Sequence, residues 1–144
     1  LEGGKCILCG LCIRVCKEII GQSAICFSQR GPARTVGSPF QEPSDLCIGC
    51  NACVSICPTG CVESIEDGPL RRLVTWNTDL EMARCQECER PFIPVRQLEY
   101  MRAKLPEHLS IDLVCQTCRR SKTAERLSEI SAMLENQPVP GVLK

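Results

Sequence analysis

The chain has 144 residues, and its 17 basic and 17 acidic side chains cancel to a formal charge of zero, which argues against a nucleic-acid binder. Aromatic residues make up only 3% of the chain, so the 14 cysteines are expected to supply part of the folding energy as metal or covalent staples. The sequence contains no run of about 18 apolar residues and no secretory signal pattern, which predicts a cytoplasmic protein without a membrane span.

The first predicted element is a cysteine run that occurs twice. The four cysteines of the first run recur in the second, each 41 positions further along: Cys6, Cys9, Cys12 and Cys16, then Cys47, Cys50, Cys53 and Cys57. The even number of cysteines permits a disulfide framework, but cysteines spaced this tightly converge on a metal more easily than on distant partners. The repeat predicts a domain with pseudo-two-fold symmetry.

The spacing C-x2-C-x2-C-x3-C is that of ligands to 4Fe–4S clusters. Three thiolates at intervals of three wrap one cubane, whereas the fourth points away from it and ligates the cluster of the other half. One cluster is therefore predicted to take Cys6, Cys9, Cys12 and Cys57, and the other Cys47, Cys50, Cys53 and Cys16. Zinc is the alternative for these cysteines, but zinc sites are commonly built from two C-x2-C knuckles.

Short antiparallel strands are predicted after each cysteine run. Residues 25–27 should pair with 34–36, and residues 62–65 with 70–76, each across a turn that contains glycine and proline. Residues 17–20 are predicted to form a short helical turn that continues out of the first run.

Two cysteines of the first half of the chain lie outside the runs. Cys26 lies in the first predicted strand, and Cys61 follows the second run after a Pro-Thr-Gly turn. Eight ligands already complete two cubanes, so both are interpreted as small apolar residues of the core.

A second cysteine group follows a predicted connector at residues 77–84. It consists of two C-x2-C pairs: Cys85, Cys88, Cys115 and Cys118. Two such pairs complete a tetrahedron of thiolates, which is typical of structural zinc. The group resembles zinc ribbons and, more loosely, rubredoxins. One zinc ion is predicted, with a third iron–sulfur cluster and a mononuclear iron as the alternatives.

Two longer helices are predicted in the second half. The first should begin at Pro94, carry Leu98, Met101 and Leu105 on one face and end before Pro106. The second is predicted over residues 121–136, where four apolar residues have helical spacing: Ala124, Leu127, Ile130 and Leu134. This apolar stripe either docks on a partner subunit or covers the chain's own core. A non-helical tail is predicted at residues 138–141.

The first half of the chain resembles the bacterial-type two-cluster ferredoxins, because both cysteine runs match. The stretch from Lys5 to Gly60 is more specifically similar to the dicluster module of large iron–sulfur subunits in NADH dehydrogenases, iron-only hydrogenases and formate dehydrogenases. There are two departures from the family. Lys17 follows the first run where ferredoxins usually have proline, and Cys61 stands where this family usually has alanine.

Together these patterns predict an α+β fold in three parts. Residues 1–76 form a ferredoxin-like, pseudo-two-fold dicluster domain, residues 77–122 a four-cysteine zinc-ribbon or rubredoxin-like module, and residues 123–144 a helix and tail.

The resemblance implies an electron-transfer subunit that relays single electrons between redox centres of a larger oxidoreductase, of the hydrogenase, formate dehydrogenase or NAD(P)H-oxidising type. Its partners would be flavin- or metal-containing redox subunits in a hetero-oligomer, because no catalytic site of its own is visible. A freely diffusing ferredoxin is the first alternative. The second is a redox-sensing zinc-ribbon nucleic-acid binder that uses the basic residues after Cys118.

Overall fold

The structure is a computed structural model that describes residues 5–135. Its helices are α1 (Leu11–Arg14), which continues as a π-helical segment over Val15–Ile20, α2 (Ala52–Ile56), α3 (Val95–Lys104) and α4 (Gln116–Glu135). Its strands are β1 (Cys26–Ser28), β2 (Thr35–Gly37), β3 (Ser64–Asp67), β4 (Leu70–Leu73), β5 (Thr78–Arg84) and β6 (Pro91–Pro94). The predicted tail at residues 138–141 and the predicted last helical residue, Asn136, lie outside the described range.

The two cysteine runs have the same backbone conformation. The residue before the second cysteine of each run has a positive φ, 55° at Leu8 and 72° at Gly49, and so has the residue after it, 73° at Gly10 and 58° at Asn51. Each run then enters a short helix, α1 or α2, and these two helices pack against each other. A positive φ costs most residues with a side chain about 1–2 kcal/mol, whereas glycine and asparagine adopt it readily, so the loop geometry at Leu8 must be imposed by the surrounding structure.

Both predicted hairpins are present. The first three strands begin one or two residues later than predicted, and β4 begins at Leu70 as predicted but ends three residues early, at Leu73. Strands β1 and β2 form a two-stranded antiparallel sheet in which Phe27 lies opposite Val36. Strands β3 and β4 pair antiparallel with Ile65 opposite Arg72. The predicted turn at residues 17–20 is part of the π-helical segment.

The prediction of a connector at residues 77–84 is wrong, because these residues form strand β5. Thr78, Leu80 and Met82 are buried on one side of it, while Asp79 and Glu81 are exposed. This alternation is the period-two pattern of a strand with one buried face. Strand β5 pairs with both β4 and β6, so strands β3 to β6 form one four-stranded antiparallel sheet. This sheet contains residues from both sides of the domain boundary that is predicted between residues 76 and 77. The division into three domains stays a prediction.

The sheet supports the second cysteine run directly. A Cβ atom on Gly49 would lie 2.5 Å from Leu80 Cδ1 on β5 and 3.0 Å from Cγ of Pro94 on β6. Arg71 on β4 donates a hydrogen bond of 2.7 Å from Nη1 to the Gly49 carbonyl. The buried core lies between the runs and the sheet and includes Cys12, Ile25, Val36, Val62, Leu73, Trp76 and Leu80.

Helix α3 confirms one predicted helix and packs on β5 and β6. It begins after Pro94, Leu98 is buried as expected, and Met101 is exposed. The Tyr100 hydroxyl donates a hydrogen bond to the carbonyl of Ile20, which links α3 to the end of the first run.

Helix α4 begins at Gln116, earlier than predicted. Leu127, Ile130 and Leu134 are all more than half exposed. Within residues 5–135 the apolar stripe therefore does not cover the core, and that alternative is wrong. Docking on a partner stays a prediction.

Candidate metal centres

The eight cysteines of the two runs line two cavities. One cavity is bordered by the first three cysteines of the second run and the last of the first: Cys47, Cys50, Cys53 and Cys16. The other is bordered by Cys6, Cys9, Cys12 and Cys57. The structure thus brings together the two sets that the spacing predicts. We call the cavity with Cys57 cavity one and the cavity with Cys16 cavity two.

Each cavity fits an iron–sulfur cluster by its donors and its walls. Four thiols are the soft ligands that such clusters require, and the remaining lining is mostly apolar. When bound, a 4Fe–4S cluster supplies a centre that accepts and releases one electron. The roles of the individual cysteines as ligands stay a prediction.

Burial dominates the electrostatics of cavity two. It raises the pKa of Cys53 to about 11, and it also raises the pKa of Cys47. An opposing contribution to Cys53 comes from Trp76, whose Nε1–H donates a hydrogen bond of 3.3 Å to Cys53 Sγ. Buried thiols in this state bind a cation as thiolates, because the positive charge offsets the desolvation of sulfur.

Cavity one contains one thiol whose pKa is raised and one whose pKa is lowered. Burial raises the pKa of Cys12 to about 11. At Cys57 a hydrogen bond with the Thr59 hydroxyl, 3.6 Å from Sγ, is the main reason that the pKa falls to about 6. The thiol of Cys57 is therefore readily ionised.

Cys61 is a fifth thiol of cavity one, which the sequence analysis missed. It is only half-buried, it borders the cavity, and its Sγ lies 3.5 Å from Cys57 Sγ. The Pro-Thr-Gly turn, closed by a hydrogen bond from Gly60 N to the Cys57 carbonyl, returns the chain so that the two thiols meet. The sequence feature that could have indicated this contact is the position of Cys61, four residues after Cys57. Cys26 is half-buried on β1 and borders neither cavity.

The second cysteine group is also assembled. The Sγ atoms of Cys85, Cys88, Cys115 and Cys118 all lie within 4.8 Å of one another. Cys85 follows β5, Cys88 lies in the turn before β6, and the other pair brackets the start of α4. The residues thus form one four-thiol site that joins the β5–β6 turn to α4.

Hydrogen bonds lower the pKa of two of the four thiols at this site. The backbone N–H of Cys115 donates to Cys85 Sγ over 3.2 Å, which is the main reason that the pKa of Cys85 falls to about 6. The side chain of Arg90 lowers the pKa of Cys88. Hydrogen bonding with the Cys115 thiol is the first of the causes that raise the pKa of Cys118 to about 12. These hydrogen bonds favour the thiolate forms of Cys85 and Cys88, and a central cation would stabilise the thiolate forms of all four cysteines.

No helix within residues 5–135 has the length and apolar character needed to cross a lipid bilayer.

Comparisons with known proteins assign the first part of the chain. Residues 5–61 match the family model described as the 4Fe–4S dicluster domain. The chain is 40% identical over 59 residues to the NADPH–Fe(3+) oxidoreductase subunit alpha of Geobacter sulfurreducens, covering 41% of this chain and 7% of that protein. Over 104 residues it is 29% identical to an NADH-quinone oxidoreductase subunit of Rhizobium meliloti, covering 69% of this chain and 12% of that protein.

A shorter relative matches along a similar share of this chain. An NAD(P)H-quinone oxidoreductase subunit of Gloeobacter violaceus is 29% identical over 115 residues, covering 69% of this chain and 50% of that protein. The chain thus spans half or less of the length of each of these three relatives.

Proposed function

We propose, from the premise that residues 5–61 are a 4Fe–4S dicluster domain with an electron-transfer role, that this chain relays single electrons between redox centres of a larger oxidoreductase. The observation that carries this proposal is the pair of cavities, each bordered by three cysteines of one run and the fourth cysteine of the other.

In this proposal each cavity holds one cluster. Cluster one is ligated by Cys6, Cys9, Cys12 and Cys57, and cluster two by Cys47, Cys50, Cys53 and Cys16. The crossed sets tie α1 to α2, so cluster binding and folding of the domain are coupled. Residues of one buried core line both cavities, Trp76 in cavity two and Val36 in cavity one, and keep their walls apolar.

The residues of the domain bind the clusters, limit access of water and donate hydrogen bonds to ligand sulfurs. Burial and such hydrogen bonds set the potentials at which a cluster takes up an electron. Cys9 is exposed, whereas each cysteine of cavity two is half-buried. We therefore assign cluster one to exchange with an external redox centre and cluster two to the interior end of the relay.

The four-thiol site formed by Cys85, Cys88, Cys115 and Cys118 is proposed to bind one zinc ion. Four thiolates close the coordination sphere, and zinc has no redox chemistry, so the ion braces the β5–β6 turn against α4 and carries no electrons. A mononuclear iron or a third cluster remains the alternative at this site.

The partners are proposed to be redox subunits of an enzyme that uses NADH or NADPH, held with this chain in a cytoplasmic hetero-oligomer. Support comes from the relatives, all of which are named as subunits of NADPH, NADH or NAD(P)H oxidoreductases. A freely diffusing ferredoxin is distinguished by size-exclusion chromatography of an anaerobic lysate at native concentration, in which a subunit comigrates with a larger enzyme.

The test of the relay is an anaerobic reductive titration of the purified chain, followed by electron paramagnetic resonance. We expect uptake of about two electrons per chain, one for each 4Fe–4S cluster, and signals broadened by coupling between two nearby centres. A folded chain that takes up no electrons would overturn the proposal.

A further inference from the structure

We propose that Trp76 raises the reduction potential of cluster two through its hydrogen bond to Cys53. This inference rests on the proposed function, because it takes Cys53 as a ligand of cluster two. Trp76 is a positioning residue in this role, since it acts on the cluster through the sulfur of Cys53.

The geometry of the contact is well defined. Trp76 is 2% exposed and borders cavity two, and its Nε1 lies 3.3 Å from Cys53 Sγ. The residue lies at the end of the 3-10 turn over Val74–Trp76, directly after β4, and the Thr78 hydroxyl donates a 2.8 Å hydrogen bond to its carbonyl. Both the ring and the backbone of Trp76 are therefore held in place.

Cys53 Sγ accepts the hydrogen bond that compensates for burial of the indole N–H of Trp76. An indole N–H is a donor only, and leaving it buried without a partner costs about 1–3 kcal/mol. Thiolate sulfur is a better acceptor than thiol sulfur, because hydrogen bonds to a charged acceptor are roughly twice as strong as neutral ones. Ligation of a cluster by Cys53 therefore strengthens this hydrogen bond.

The direction of the effect follows from charge. Reduction adds an electron to the cluster, and part of the added charge resides on the ligand sulfurs. A hydrogen bond to Cys53 Sγ then stabilises the reduced state more than the oxidised state, and the potential rises.

The repeat equivalent of Cys53 in cavity one has no indole donor. Cys12 is the repeat equivalent of Cys53, and the residue 41 positions before Trp76 is Thr35. Trp76 is the single tryptophan of the sequence. Among the described residues, the side chains hydrogen-bonded to a thiol of cavity one are Thr59 and Cys61, which both contact Cys57. The indole N–H therefore acts on cluster two alone.

The test is a redox titration of the anaerobic chain, followed by electron paramagnetic resonance, for the wild type and Trp76→Phe. Phenylalanine keeps an apolar ring but removes the donor. We expect one of the two midpoint potentials to fall, so that at fixed potential the ratio of reduced to oxidised cluster drops about tenfold, or about 59 mV for a one-electron couple. The other midpoint should not move.

A second measurement uses the fact that the chain has one tryptophan. Biosynthetic replacement by 5-fluorotryptophan keeps the ring shape and makes the indole N–H more acidic, so the same midpoint should rise. Phe27→Leu, which removes a ring packed near Gly10 in cavity one, is the control for general repacking and should leave the midpoint that Trp76 controls unchanged.

The proposal is overturned if neither Trp76→Phe nor fluorotryptophan moves a midpoint, or if both midpoints move equally. If Trp76→Phe does not fold, the fluorotryptophan protein decides the outcome on its own. A wild-type chain that binds no iron would be a failure of the proposed function rather than of this inference.

Discussion

The first and second cysteine runs share a spacing and a backbone conformation, but they lie in different surroundings. Ile7 in the first run is 63% exposed, whereas its repeat equivalent Ile48 is 8% exposed. Leu8 is 41% exposed, whereas its equivalent Gly49 is buried against Leu80 and Pro94.

This difference shows that the set of thiols at a cluster site and the burial of that site have separate origins. The spacing of the cysteines determines which thiols face each cavity, and the same motif achieves this twice. The burial and the hydrogen-bond donors come from residues outside the repeat, namely Trp76 and the β5 and β6 strands. One motif therefore serves two clusters with different access to water, and the following variants test that contrast.

The largest effect is expected from removing the crossed fourth cysteine of either cavity. Cys16→Ala should lose cluster two and Cys57→Ala cluster one, each with loss of about half of the iron. Because Trp76 borders cavity two, its quenched fluorescence should rise more in Cys16→Ala than in Cys57→Ala. Iron analysis and emission spectra check this, with Cys26→Ala as the control that keeps both clusters. The opposite pattern of emission would contradict the crossing of ligands.

A smaller but selective effect is expected from Cys88→Ser. Loss of one thiolate should release the zinc ion and free the β5–β6 turn, because zinc binding is also folding energy. Leu80 and Pro94 on these strands cover Gly49, so cluster two should be lost faster than cluster one in the presence of an iron chelator. The rates are measured by absorbance and by Trp76 emission. Equal loss rates for both clusters would show that the sheet does not protect the second run.

The next effect comes from the contact between the second run and the sheet. In Gly49→Ala the added methyl group would lie 2.5 Å from Leu80 Cδ1 at a positive φ, and we expect a destabilisation of about 3 kcal/mol. This destabilisation is measured as a lower midpoint temperature for the thermal loss of cluster absorbance. The matched variant is Leu8→Gly, at the equivalent exposed position of the first run. There the change should stay within about 1 kcal/mol, because lost strain and gained chain entropy oppose each other.

If Gly49→Ala and Leu8→Gly shift that temperature equally, the two runs do not differ in how the fold supports them.

The smallest effect is expected from Cys61→Ala. The Cys61 thiol lies 3.5 Å from Cys57 Sγ and donates to it when Cys57 is a thiolate, but S–H is a weak donor. The variant should keep its full iron content and lower the potential of cluster one by less than Trp76→Phe lowers that of cluster two. A redox titration measures both. Loss of cluster one in this variant would instead identify Cys61 as a required ligand.

Much of the site could be predicted because the spacing within each cysteine run and each C-x2-C pair determines which neighbouring thiols converge. The crossing of the fourth cysteines follows from the known ligand pattern of such runs, and both hairpins follow from their turn residues and flanking apolar segments. Strand β5 was missed although Thr78, Leu80 and Met82 alternate with charged residues, since its position between two cysteine groups resembled that of a connector.

The asymmetry between the cavities could not be predicted in this way. The contact of Trp76 with Cys53 and the packing of Gly49 on Leu80 join residues more than 20 positions apart. Such contacts depend on how the sheet folds back over the second run. A repeat in the sequence predicts two similar halves and carries no information on what covers each of them.

The central claim is that two clusters, with crossed ligands, accompany one zinc site. The most direct measurement is the content of iron, acid-labile sulfide and zinc in protein isolated without oxygen. The account predicts about eight iron and about eight sulfide per chain, with about one zinc. About twelve iron without zinc would place a third cluster at the four-thiol site. A folded chain that contains no iron would contradict the account as a whole.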